Sequence, residues 1–74
     1  MLKNMAKSFI TRMFNEAGIT INGSHLYDIQ IHDERFYSRA LNDGSLGLGE
    51  SYMDKWWDCS ALDVLFELLM LAHT

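Results

Sequence analysis

Residues 44–59, GSLGLGESYMDKWWDC, gather the groups in this chain best suited to chemistry. The stretch holds three glycines, a serine, the carboxylates Glu50, Asp54 and Asp58, and the sole cysteine, Cys59. Gly44, Gly47 and Gly49 read G-x-x-G-x-G, whereas a dinucleotide loop reads G-x-G-x-x-G after a strand. No G-K-[ST] follows, so a phosphate-cradling P-loop is excluded. The glycines are better explained as permitting left-handed turns and close backbone approach. G-E-S-Y-M lacks the last glycine of a nucleophile elbow, and Ser51 has no evident base partner. The histidines, His25, His32 and His73, and Cys59 show none of the spacings that bind zinc. Glu50, Asp54 and Asp58 are four apart and would share one helical face. Acid–base work there would need burial to raise one pKa, and solvated surface acids are the default. The chain thus offers no catalytic residue, no cofactor site and no metal site.

Those residues need elements to hold them. Leu2, Met5, Ala6, Phe9, Ile10, Met13, Phe14 and Ala17 recur in steps of three and four, which predicts a helix over 3–17. Gly18 follows as its C-cap. ITING and YDIQI alternate around the turn signal Asn22-Gly23, which predicts two short strands, 19–22 and 27–31, suited to a hairpin. Asp33 can cap a helix over 34–43, with Phe36, Tyr37, Ala40 and Leu41 inward and Arg35 and Arg39 outward. A third helix is expected over 49–55; if helical geometry runs from Glu50 to Trp57, Tyr52 shares one face with Trp56 and Met53 the next with Trp57. Ser60 and Asp63 resemble a capping box for a fourth, 60–73. That last helix is apolar nearly all round, yet too short to span a bilayer. It either packs on something outside the chain or forms the centre of a small core. The fold class is α+β: a small helix-rich domain of about four helices and two short strands, residues 1–74 as one domain.

Charge narrows the partners. The net charge is −4, which argues against nucleic acid. Residues 1–15 carry Lys3, Lys7 and Arg12 and no acid, for +3, while residues 16–74 carry −7. The basic end is either an ordinary solvated helix face or a contact for an anionic surface. Leu46, Leu48, Tyr52, Met53, Trp56 and Trp57 either complete the core or form a face for a partner or lipid. Phe66 and Leu69, on the apolar last helix, join them as contact candidates.

The string from Gly44 to Cys59, followed by LDVLF, resembles the N-terminal region of cyclopropane-fatty-acyl-phospholipid synthases. AGITING and DIQIHDERFYSRAL upstream are similar to the same region, so the resemblance runs from about Ala17 to Phe66. Lys55 departs from the family pattern, which has a small residue, usually glycine, there. The resemblance implies a family that transfers a methylene group from S-adenosylmethionine to unsaturated phospholipid acyl chains. Cofactor and catalytic residues of that family lie in a C-terminal methyltransferase domain missing from these 74 residues. The chain is then expected to be a non-catalytic accessory domain, cytoplasmic and peripheral on the inner membrane surface. Its implied partners are that missing domain, anionic phospholipid and a second copy in a homodimer. The alternative is a structural or oligomerisation module with no lipid contact.

Overall fold

The computed structural model describes residues 2–72, with side chains from Asn4 onward. Five elements follow in order: α1 (Leu2–Glu16), β1 (Gln30–Ile31), α2 (Arg35–Met53), β2 (Trp57–Asp58) and α3 (Leu62–Ala72). The expected helix over 3–17 is α1. Ala6, Ile10 and Phe14 of its stripe are buried, while Met5 and Phe9 at the stripe's edge stay outside. The helices expected over 34–43 and 49–55 are one run, α2, bent at Gly44. The correction has a simple cause. Gly44 alone leaves helical geometry, at φ 58 and ψ −131, and the chain re-enters the helix at once. Among the described residues three helices therefore replace the expected four. The last runs over 62–72 rather than 60–73, residue 73 lying outside the described residues.

Both helix ends that matter close in the same way. At α1, Ile19 N–H reaches Phe14 O (2.9 Å) and Gly18 N–H reaches Asn15 O (3.0 Å). These are the two bonds of a Schellman cap, with Gly18 at φ 87 and the apolar contact supplied by Ile19 and Phe14 in the core. At α2, Trp56 N–H reaches Ser51 O (2.9 Å) and Lys55 N–H reaches Tyr52 O (3.0 Å). The left-handed position here is Lys55, at φ 63. So the turn is made despite the missing glycine, at a cost that a side chain brings to this conformation. The cap position of α2 is Glu34, without a side-chain cap bond, rather than the expected Asp33, whose Oδ1 accepts Arg35 N–H at 2.9 Å from one residue further out. Ser60 and Asp63 do not form a box. The start of α3 is held instead by Ala61, whose N–H donates to Leu26 O (2.8 Å) and whose carbonyl accepts Leu65 N–H.

The hairpin expected from 19–22 and 27–31 is not formed. The strand β1 pairs antiparallel with β2, Gln30 opposite Asp58 and Ile31 opposite Trp57. Residues 19–29 are a loop built on side chains rather than on a ladder. Asn22, at φ 57, donates its N–H to Ile29 O (2.7 Å), and its Oδ1 accepts Ile31 N–H (2.7 Å). Asp28 is 1% exposed. It accepts Thr20 N–H at 2.8 Å and His25 N–H at 2.9 Å, with the His25 ring 3.0 Å away. The alternation of ITING therefore places Ile19 in the core without a strand.

The core joins Ile10 and Phe14 of α1, Phe36 and Tyr37 of α2, Ile19, Ile29, Trp57 and Leu65. Gly47 is buried where the second half of α2 folds back near the first. A Cβ there would fall on the carbonyl oxygen of Arg39 and lie 2.9 Å from Asp43 Cβ.

Two outcomes follow for stability, both read by urea unfolding followed through tryptophan fluorescence. Lys55→Gly stabilises by ~1 kcal/mol by removing the left-handed penalty, whereas Gly47→Ala destabilises because backbone must shift. Asp28 supplies the second. Burial pushes its pKa up, but bonds from the Thr20 and His25 backbone and the His25 ring more than offset this, holding it below the usual carboxylate value. A carboxyl depressed on folding contributes stability above its unfolded pKa and loses it as pH falls through the folded one. The chain therefore weakens below about pH 4. Asp28→Asn costs roughly 2 kcal/mol at neutral pH and flattens that acid limb.

Candidate functional site: an apolar groove between three helices

The bend at Gly44 splays the halves of α2 and leaves a groove against α1 and α3. It measures about 720 Å³. Phe9 and Met13 of α1 form one wall, Leu41 and Leu48 of α2 the next, Phe66 and Met70 of α3 the third. Gly44, Ser45 and Gly49 face it from the bend, and Leu69 lies at its base. No charged side chain lines it. Phe9, Leu41, Phe66 and Met70 are all exposed, Met70 at 69%.

Trp57 is a core residue that meets two of the groove's residues, Leu48 and Phe66. It is 1% exposed and its Nε1–H reaches two acceptors, Leu48 O (3.1 Å) and Ser51 Oγ (3.0 Å). Ser51 Oγ–H donates in turn to Leu48 O (3.1 Å). This buried hydroxyl is thereby occupied, which accounts for the serine of G-E-S-Y-M. The Trp57 ring lies 6.3 Å from Phe36, 4.9 Å from Tyr52 and 6.5 Å, edge-on, from Phe66. Phe66 thus leaves the core with one face and enters the groove with the other.

The eight contact candidates separate. Leu48, Phe66 and Leu69 line the groove. Trp57 belongs to the core. It lies on β2, beyond the end of α2, so the expected helical pairing with Met53 does not exist. Trp56 likewise lies past α2, half-buried, with the guanidinium groups of Arg35 and Arg39 at 4.5 and 4.8 Å from its ring centre. Leu46, Tyr52 and Met53 are exposed on α2 outside the groove. Sequence reading missed Phe9, Met13, Leu41 and Met70 as groove residues. A signal existed in α1, whose apolar stripe is wider than one core contact needs.

The carboxylates also separate. Arg39 reaches Asp54 at 2.7 Å and Glu50 at 3.5 Å, so these two share a face and a cation. Asp58 does not join them, because α2 has already ended. It stands on β2 and meets His32 Nε2 at 2.5 Å. Among the described residues no three His, Cys, Asp or Glu side chains are grouped to hold a metal ion. Burial pushes the Cys59 thiol above its usual pKa, and its Sγ donates to Leu26 O at 3.4 Å.

Of the basic residues, the Lys3 side chain lies outside the described residues. Lys7 and Arg12 flank a shallow polar shelf on α1, with Ser8, Thr11, Asn15 and Glu16. Lys7 is shared with Glu34 at 3.4 Å and lies over the Tyr37 ring. No helix among the described residues is long and apolar enough to cross a membrane.

No protein-family model matches the chain. Two curated proteins do. The cyclopropane-fatty-acyl-phospholipid synthases of Escherichia coli K12 and Escherichia coli O6:H1 are each 50% identical to it over 60 residues. The match takes in 81% of this chain but only 16% of either relative, so the chain spans about a sixth of their length. At that identity over most of its residues, the chain is similar to one short stretch of the cyclopropane-fatty-acyl-phospholipid synthases.

Proposed function

We propose that the chain is a non-catalytic accessory domain of a cyclopropane-fatty-acyl-phospholipid synthase. The whole protein would move a methylene group from S-adenosylmethionine to the double bond of an unsaturated phospholipid acyl chain. The 50% identity over 60 residues carries the reading. In it, cofactor and chemistry belong to the remainder of the protein, a methyltransferase domain. This chain contributes a docking face and an approach to the bilayer from the cytoplasmic side.

The groove supports the docking half. Its walls expose large apolar side chains around a concave, uncharged surface, the usual character of a face that another element covers. The α1 shelf supports the membrane half. It carries Lys7 and Arg12 at its edges. Such a face meets anionic headgroups through charge rather than insertion. A second reading, a seam between two copies with no lipid contact, is favoured by Met70 and Leu71, 69% and 64% exposed on α3.

Vesicle sedimentation at low salt tests the membrane half. The chain is expected to pellet with phosphatidylglycerol vesicles, not with phosphatidylcholine, and to be released by added salt. Arg12→Gln weakens binding about fivefold, as expected for one cation at the surface. Failure to bind either vesicle removes the membrane role. Tight calorimetric binding of S-adenosylmethionine would overturn the non-catalytic assignment. A concentration-dependent dimer in light scattering, with no vesicle binding, would favour the second reading.

A further inference from the structure

The acidic side chains divide into two sets. Asp28, Asp33, Glu34, Glu50, Asp54 and Asp58 each meet a cation or histidine within the fold. Glu16, Asp43, Asp63 and Glu67 form no ion pair among the described residues. All four are exposed. Three of the four border the groove. On α1, Glu16 stands three residues from Met13 and seven from Phe9, on the same side of the helix. On α3, Asp63 stands three from Phe66 and seven from Met70, and Glu67 three from Met70. Among the described residues the cations nearby on α1 are Arg12, three residues from Phe9, and Lys7, three from Ile10 and already paired with Glu34, so the rim remains negative. The groove itself is uncharged.

We infer that the groove takes an amphipathic helix with an apolar stripe flanked by lysine or arginine. The inference rests on the reading of this groove as a docking face and fixes the chemistry of what docks. A wedge of leucine-sized side chains fills the space between Phe9, Leu41, Phe66 and Met70. The flanking cations of the incoming helix then meet Glu16 on one bank and Asp63 and Glu67 on the other. An anionic bilayer fits this face poorly, since three free carboxylates would be pressed against like charge. A second copy of this chain fits poorly as well. Its own groove face carries the same acidic rim, and its basic helix α1 already spends Ala6, Ile10 and Phe14 on its core. An apolar stripe gives such an interface affinity, and the charged rim gives orientation and discrimination.

The probe is a fluorescent 14-residue helix made of leucine and lysine, read by anisotropy against the full chain. Its counterpart has glutamate at every lysine. The lysine peptide is expected to bind, and the glutamate peptide to bind at least tenfold more weakly. Glu16→Gln/Asp63→Asn/Glu67→Gln weakens the lysine peptide about tenfold, the sum of three exposed pairs. Asp43→Asn, the remaining free acid, on α2 rather than on the α1 and α3 banks, leaves binding unchanged. Leu41→Gln/Met70→Gln, at exposed positions that keep the net charge, abolishes it. Circular dichroism confirms that each variant is folded. If both peptides bind alike and both are lost in the Leu41/Met70 variant, the docking face stands and the charge assignment falls. If the triple variant binds as wild type, or Asp43→Asn weakens binding as much, the charge assignment also falls. If neither peptide binds, or the groove variant instead dissolves a dimer of the chain, both readings of the groove fall.

Discussion

The Trp57 indole is the interaction on which the remaining architecture turns. One N–H reaches Leu48 O and Ser51 Oγ across the last two turns of α2. The same residue lies on β2, opposite Ile31 of β1. Its ring is shared by Phe36, Tyr52 and Phe66. A two-residue ladder has little stability alone. Here it is tied to a buried aromatic worth roughly 1.5–3 kcal/mol on burial. The indole N–H is satisfied as well, so burial carries no polar penalty. The groove depends on the same residue. Leu48 gives its carbonyl to Trp57 and its side chain to the groove, and Phe66 is steered outward by the edge contact.

The backbone must accept two unusual positions for Trp57 to arrive there. Gly44 bends α2 so that its second half crosses the first closely enough for Gly47 to meet Arg39. Lys55 then reverses the chain in a conformation that glycine adopts more easily. Gly18 closes α1 by the same pair of hydrogen bonds without that cost. The two caps are one solution with different residues. The Lys55 cap persists because Trp56 and Trp57 beyond it are both engaged. Trp56 lies against two guanidinium groups, and its carbonyl accepts the N–H groups of His32 (2.7 Å) and Asp33 (3.1 Å). Local strain is tolerated where the surroundings over-determine the position.

Helical periodicity was legible because it is local. It located α1, the inward face of α2 and most of α3; Gly18 marked the end of α1, and Asp33 stands one residue before the cap position of α2. Strand pairing was not legible, since β1 and β2 are joined across 25 intervening residues and each is only two residues long. Alternation misled at ITING, where Asn22 and Asp28 side chains do the work of a ladder. Trp57 shares a helical face with Met53 only if the helix runs on past Lys55, and a lysine there does not by itself mark a left-handed stop. The long glycine-to-tryptophan string pointed all the same to the relatives with which the chain shares 50% identity over 60 residues. The groove was only partly legible: Leu48, Phe66 and Leu69 stood out, whereas Phe9 and Leu41 looked like ordinary core positions. A concave surface made by three helices has no signature in any one of them.

The unburied apolar groups are the sharpest constraint on what the chain does. Seventy-four residues have little core to spare, and each large side chain left outside forgoes roughly 1.5–3 kcal/mol. Yet Phe9, Leu41, Phe66 and Met70 remain at the surface, along one continuous concavity. Simple collapse of the helices would close it. Such a collapse is opposed from inside. The Gly44 bend sets the angle between the halves of α2, while Trp57 fixes Leu48 and props Phe66. Both features are specified by strained or fully bonded residues, not by loose packing. A fold that holds a groove open against its own hydrophobic driving force is best understood through what fills that groove. The charges at its rim, left unpaired while six other acids are matched internally, constrain the occupant further than its shape does.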